Sequence, residues 1–162
     1  MDFSLSEEQK QVQDLINQFI AKDYPFDVRE KLVKSEEGFS KEFWKTFGEF
    51  GLLAMPFPED DGGFNGGPVD LMVILEAFGT GLVVEPYIPN VVLSGNLISK
   101  LGNKKQKDEI LPKLFSGELQ MSFAFTEPQS RFDLNDITTS AKLEGDNYLS
   151  LIHISEPTRQ NQ

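Results

Sequence analysis

The chain has 162 residues, a formal net charge of −11, one histidine and no cysteine. That length suits one domain, or one domain and the start of a second; without cysteine there are no disulfides or thiolate metal sites, and the acidic balance argues against nucleic acid or anionic membranes, whose phosphates require clustered Lys and Arg. No window reaches the ~20 apolar residues of a membrane span, and Met1-Asp2-Phe3 lacks the basic start of a signal peptide, so a cytoplasmic location is expected.

Ser6-Glu7-Glu8-Gln9 fits a capping box. Behind it Val12, Leu15, Ile16, Phe19 and Ile20 form one apolar stripe at helical spacing, which predicts a helix ending near Asp23, before Pro25. A second helix is expected from Pro25 to about Lys34. Ser40 can cap a third, with Phe43, Trp44, Phe47 and Phe50 on one face and Gly51 placed to stop it. Residues 55–68, "MPFPEDDGGFNGGP", are expected to be loop, and Pro68 suits the first turn of a fourth helix. That helix, "VDLMVILEAFG", is apolar nearly all round and should be buried on most sides. A fifth is expected over "EPYIPNVVLSGNLISKLG" with Gly102 as its stop. A sixth follows over "NKKQKDEILPKLFSGE", with Ile110, Leu111 and Leu114 inward and Gly117 beyond its end. The period then changes. "LQMSFAFT" (119–126) alternates and is rich in aromatics, as a strand should be, and "DITTSAKLEG" and "DNYLSL" read as further strands joined by a Gly-Asp turn.

The residues by themselves build no complete catalytic constellation. "GGFNGG" (62–67) does not match a dinucleotide or phosphate-loop fingerprint and no strand precedes it, so a surface loop between helices is the better reading. The adjacent acids Glu36/Glu37 and Asp60/Asp61 diverge, whereas general acid–base work needs groups that converge on one substrate. The basic run in "NKKQKDEI" is mixed with acids and reads as a solvated helix face. Metal-ligand spacing is absent.

The stretch "SFAFTEPQSRFD" (122–133) is the candidate site. A strand ending at Thr126 offers a hydroxyl that donates and accepts, beside backbone groups released from a sheet, and Pro128 forces an abrupt exit. Such an edge suits a flat polar heterocycle, with Phe123, Phe125 and Phe132 as the apolar part. A strand that ends in such a Thr-Pro turn is more often only structural.

The end of the chain reads differently. "LSLIHISEPTR" (149–159) resembles, residue for residue, one frame of a transposase adapter used in preparing sequencing libraries. Such scars are excluded from fold reasoning. His153, the only histidine, is therefore given no functional weight, and the natural chain is expected to continue beyond Tyr148.

The order "MDFSLSEEQ", "FGEFGLLAMPFPEDDGGFNGG" and "LGNKKQKDEILPKLFSGELQMSFAFTEP" resembles the N-terminal half of the acyl-CoA dehydrogenase family, over residues 1–148. "TEPQSRFDLNDITTSA", with "VVEPYIPNVVLSG" upstream, is most similar to the pimeloyl-CoA dehydrogenase small-subunit type. The resemblance implies a mainly α fold: an N-terminal helical-bundle domain (1–118), then the first strands of an incomplete β-barrel middle domain (119–148), then the adapter-like tail (149–162). It implies FAD as cofactor and an acyl-CoA thioester as substrate, with a proton leaving the α-carbon and a hydride leaving the β-carbon for the flavin. It also implies an electron-transfer partner and homo- or hetero-oligomers with subunits of the same family. By position, Phe123, Phe125 and Thr126 should lie along the isoalloxazine, Thr126 through its hydroxyl, and the helix at 86–100 should line part of the acyl cavity.

Two departures stand out. Where the family loop reads Gly-Ser-Asp, this chain has Arg131, Phe132 and Asp133, so serine chemistry does not transfer to Phe132. Arg131 is either a charge-assisted donor to a phosphate or an exposed loop arginine. The family's glutamate base comes from a C-terminal helical domain that this chain lacks, so no catalytic residue is assigned and the chain is expected to be inactive as it stands. The alternatives are a non-catalytic partner subunit and a helical protein-binding module.

Overall fold

A computed structural model describes residues 4–131, 133–145 and 147–151. Phe132, Asp146 and residues 152–162, His153 among them, lie outside the described residues. The chain divides into two compact units, which part between Ser122 and Phe123.

The first unit is helical. Helix α1 (Glu7–Asp23) opens on the expected capping box, with Ser6 Oγ accepting the Gln9 N–H at 3.2 Å and Gln9 Oε1 accepting the Ser6 N–H at 3.0 Å. Helix α2 (Phe26–Lys34) follows Pro25, and α3 (Lys41–Glu49) is capped by Ser40 Oγ, which accepts the Phe43 N–H at 3.2 Å. The Gly-rich loop then coils on itself: the Gly63 N–H donates to Pro58 O and the Gly66 N–H to Met55 O. A Cβ at Gly63 would stand 2.2 Å from Phe57 O, so only glycine fits that backbone approach. This close packing, and not anion binding, accounts for the "GGFNGG" run. Asp61 at the loop's tip accepts from Ser99 Oγ at 2.5 Å and Lys107 Nζ at 3.2 Å. Helix α4 (Pro68–Gly81) has Pro68 in its first turn and Asp70 Oδ2 accepting the Gly67 N–H at 2.8 Å.

The expected fifth helix comes in two parts. Its first part, Ile88–Gly95, is wound as a π-helix, and α5 (Asn96–Leu101) continues it. Pro89 stands in its first turn, where a missing N–H is tolerated. Within the wider turns side chains take up carbonyls: Ser94 Oγ donates to Pro89 O at 2.7 Å, and Asn96 Nδ2 to Val92 O at 3.1 Å. Helix α6 (Lys104–Phe115) closes the unit, with Asn103 Oδ1 accepting the Gln106 N–H at 3.0 Å. No helix among the described residues is long and apolar enough to cross a membrane.

The phenylalanine bias is explained by the core. Phe19 meets the edges of Phe43, Phe47 and Phe50 with ring centroids 5.2, 5.4 and 6.2 Å away. Phe47 stacks on Phe78 at 4.9 Å, and Phe78 meets Tyr87 edge-on at 5.4 Å. One continuous aromatic chain therefore joins α1, α3, α4 and the π-helix approach, each such pair adding about 0.5–1.5 kcal/mol beyond the area it buries.

A buried carboxyl lies beside this core. Glu85 is 5% exposed, and its Oε1 accepts the Ser40 N–H at 3.2 Å, at the start of α3. Its Oε2 has no hydrogen-bond partner among the described residues. The Tyr24 hydroxyl, which accepts the Val84 N–H at 3.1 Å, lies alongside. Burial pushes the Glu85 carboxyl above its ordinary range, against the opposing pull of Tyr24 and neighbouring N–H groups.

In the second unit, β1 (Ser140–Glu144) pairs antiparallel with β2 (Asn147–Leu151), Glu144 opposite Asn147 with Gly145 in a turn after β1. Gly145 has φ +63°, the left-handed backbone such turns demand. The expected last two strands are thus present, and β2 runs into the first residues of the adapter-like stretch. The expected strand at 119–126 is different. It carries no ladder, because among the described residues the sheet has only two strands, β1 and β2, and an extended segment becomes a strand only against a neighbour. The fold class is mainly α with a short β portion, as the sequence implied.

Two outcomes are expected. Phe47→Ala, at a fully buried position in the aromatic chain, should cost about 3–5 kcal/mol in urea unfolding followed by Trp44 fluorescence. Glu85→Gln should raise stability, and more so at pH 8 than at pH 4. A carboxyl whose folded pKa is raised contributes fully below its unfolded value and loses that contribution as pH rises through the folded value, and the amide has no proton to lose.

Candidate functional site

The approach to the site begins where α6 ends. The Glu118 and Leu119 N–H groups both donate to Lys113 O, at 2.9 and 3.0 Å. The Met121 N–H then donates to Oδ1 of Asn90, a π-helix residue only 2% exposed, whose Nδ2 donates to Pro86 O at 2.9 Å. Met121 itself packs on the aromatic core. Beyond it the chain leaves the helical unit.

Phe123 and Phe125 are exposed, 40% and 46%, with ring centroids 5.8 Å apart and planes at 38°. Residues two apart on an extended chain share a face, so the rings form a short apolar strip. Thr126 is exposed, and its hydroxyl is committed to no hydrogen bond among the described residues. These three predicted residues thus follow one another on a single extended run.

The chain then turns back. Glu127 O accepts the Ser130 N–H at 3.1 Å, with Pro128 at the second position of the β-turn, where its fixed φ is favoured. Arg131 follows in left-handed backbone at φ +50°. It is exposed and has no carboxylate partner among the described residues. The structure therefore sets Arg131 apart from the extended run, beyond the turn. Phe132 lies outside the described residues.

Sequence reasoning assigned no role to Glu127, yet it organises this loop. It is 5% exposed. Its carboxylate accepts the Thr138 N–H at 2.8 Å, the Thr138 hydroxyl at 2.5 Å, the Thr139 N–H at 3.0 Å and Gln129 Nε2 at 2.7 Å. Those donors, the Thr138 hydroxyl foremost, hold the carboxyl far below the usual carboxylate range. One anion therefore joins the turn at 127–130 to the residues that lead into β1. The only hint in the sequence was an acid between Thr126 and Pro128 with two threonines eleven and twelve residues on, a separation no local spacing rule reads.

In the helical unit, an apolar groove of about 670 Å³ opens where α4 gives way to the π-helix. Phe78, Leu82, Val83, Ile88 and Pro89 line it, and Arg29 stands at its edge with Nε donating to Leu82 O at 3.1 Å. Its size lies within the range of small-molecule pockets.

Residues 6–118 match the family described as acyl-CoA dehydrogenase, N-terminal domain. The chain is 31% identical over 147 residues to the mitochondrial isovaleryl-CoA dehydrogenase of Bos taurus, covering 90% of this chain and 34% of that protein. It is also 31% identical over 145 residues to the acryloyl-CoA reductase (NADH) of Anaerotignum propionicum, covering 89% of this chain and 36% of that one. Among solved structures, an acyl-CoA dehydrogenase complexed with FAD from Bacillus anthracis superposes with a TM-score of 0.79 at 29% identity, over 92% of this chain and 26% of that chain. The chain thus spans about a third of the length of the curated relatives it matches.

Glu127 yields a prediction with a definite sign. A depressed folded pKa means that its contribution is present above the unfolded carboxyl value and is lost only as pH falls through the folded value. Its carboxyl-carbon NMR shift is therefore expected to stay flat between pH 7 and about pH 4, where a free glutamate titrates. Glu127→Gln should release the Thr138 and Thr139 amides to fast hydrogen exchange already at neutral pH.

Proposed function

This chain belongs to the acyl-CoA dehydrogenase family, and we propose that it is the N-terminal part of a flavoprotein that dehydrogenates an acyl-CoA thioester between its α and β carbons. The observation that carries this reading is the reach of the similarity. An alignment over 147 of 162 residues extends past the helical domain and takes in the run from Phe123 to Arg131.

The residues present fit one side of a flavin. Among the described residues, two exposed rings and an uncommitted hydroxyl stand on an extended run with no ladder partner, which suits a flat heterocycle with polar rim atoms. In this reading Phe123 and Phe125 lie along the isoalloxazine, largely through backbone groups, and Thr126 bonds its rim through the hydroxyl. Arg131, a cation without a carboxylate partner among the described residues, meets a phosphate of FAD. FAD, when bound, supplies the acceptor for the hydride. The helical stretch 86–100, with the groove at its start, contributes to the acyl cavity by excluding water from the chain of the substrate.

The organisation that goes with this reading is a helical domain at 1–118, the opening of a β domain at 119–148 and an adapter-like tail at 149–162. The base and the second wall of the flavin site come from outside this chain, so the chain by itself turns nothing over. Its partners are an electron carrier and oligomeric neighbours of the same family. One observation favours a second reading, as a non-catalytic partner subunit or helical binding module: Val69 and Met72, 48% and 52% exposed, lie three apart on the outer face of α4.

Purified chain mixed with acyl-CoA and an artificial electron acceptor is expected to leave the dye oxidised and to hold less than one flavin per chain. Stoichiometric yellow flavin with acyl-CoA-dependent dye reduction would show the chain to be an enzyme in itself. The product of the natural reading frame continued beyond Tyr148 is expected to be yellow, and a colourless product sinks the flavin reading.

A further inference from the structure

We propose that Asn90 is the positioning residue for the flavin-edge segment: its side-chain amide fixes the point at which the extended chain leaves the helical unit. The functional consequence rests on the flavin reading above; the anchoring itself does not.

An extended segment outside a sheet has N–H groups with nothing opposite them. Among the described residues, the amide of Met121 is the one backbone N–H from Gln120 to Thr126 that has an acceptor, and that acceptor is a side chain, Oδ1 of Asn90. The orientation of the Asn90 amide is fixed by its other end, because Nδ2 donates to Pro86 O at 2.9 Å and only nitrogen can donate. Oδ1 is thereby left facing Met121.

The anchor is also held rigid from behind. Asn90 is 2% exposed and sits in the π-helix Ile88–Gly95. A Cβ at Gly95 would come within 2.6 Å of the Phe57 ring and 3.1 Å of Asn90 O, so the helix wall behind Asn90 is closely packed. π-Turns of this kind are enriched at functional sites. Here the wide turn presents an amide side chain to a passing extended segment, in the place a neighbouring strand would otherwise fill. Phe123, the first residue of the proposed flavin edge, follows Met121 by two residues, about 7 Å of extended chain. A misplacement of about 1 Å is enough to degrade a cofactor site.

Three variants of the full chain test this. Asn90→Leu keeps the volume and removes the acceptor; Asn90→Ser is too short to reach; Asn90→Asp keeps an oxygen facing Met121. Hydrogen exchange at the Met121 amide is measured for each, alongside titration with FAD followed by flavin fluorescence, with Trp44 fluorescence reporting that the helical unit is folded. The Met121 amide is expected to exchange at least about tenfold faster in N90L and N90S than in the wild type, and to regain protection in N90D. FAD Kd should weaken about five- to tenfold in the first two and recover toward wild type in N90D. Where N90L does not fold, N90S decides. A wild-type Met121 amide that is unprotected, or equally protected in N90L and N90S, overturns the proposal. So does a wild type that binds FAD with the same Kd as both variants. If no form binds FAD while Met121 protection still follows the acceptor, the flavin reading fails for this chain and the anchor stands.

Discussion

The constraint on which the rest depends is the need of an extended backbone for hydrogen-bond partners. Inside the helices that need is met locally. Between α6 and β1 it is not, because the chain runs through 119–139 with no strand beside it among the described residues. Two side chains take the place of the missing neighbours. Asn90 receives the Met121 N–H in the helical unit, and Glu127 receives the Thr138 and Thr139 N–H groups in the second unit. Both are nearly fully buried, so each bond is made away from competing water and losing it would leave an unsatisfied buried group.

The two units rest on different physics. The helical unit has an aromatic core that links α1, α3 and α4 through ring-to-ring contacts, and it tolerates one orphaned carboxyl oxygen at Glu85 within that frame. The second unit has a two-stranded hairpin whose β1 is exposed along its whole length. A lone hairpin is marginal in water, and its open edges invite pairing with other strands. There the buried carboxylate of Glu127 ties the turn at 127–130 to Thr138 and Thr139.

The chemistry of the relatives bears on what this domain decides. One is named a dehydrogenase and another a reductase, at the same identity and over nearly the same share of this chain. The stretch shared with both is therefore common to proteins named for oxidation and for reduction. What this chain shows is an apolar groove beside α4, an extended run at Phe123–Thr126 and a turn that carries Arg131. After that turn the chain reads Arg131, Phe132 and Asp133, with Arg131 in left-handed backbone.

Most of the helical unit was legible from the residues alone, because its signals are local. Ser6 and Ser40 cap the helices they precede, Gly51 and Gly117 stop the helices they follow, and the stripe from Val12 to Ile20 faces inward. The hairpin was legible for the same reason, through Gly145. What only the tertiary structure decided lies in contacts between residues far apart in the chain: the π-turn that aims Asn90 at Met121, the buried carboxyl of Glu85 at Ser40, the grip of Glu127 on Thr138, and the lack of a ladder at 119–126. A strand-like alternation records which side chains can lie on one face, and local spacing carries that information. Whether a partner exists to complete the strand depends on where the rest of the chain passes, and that is set by packing at a distance.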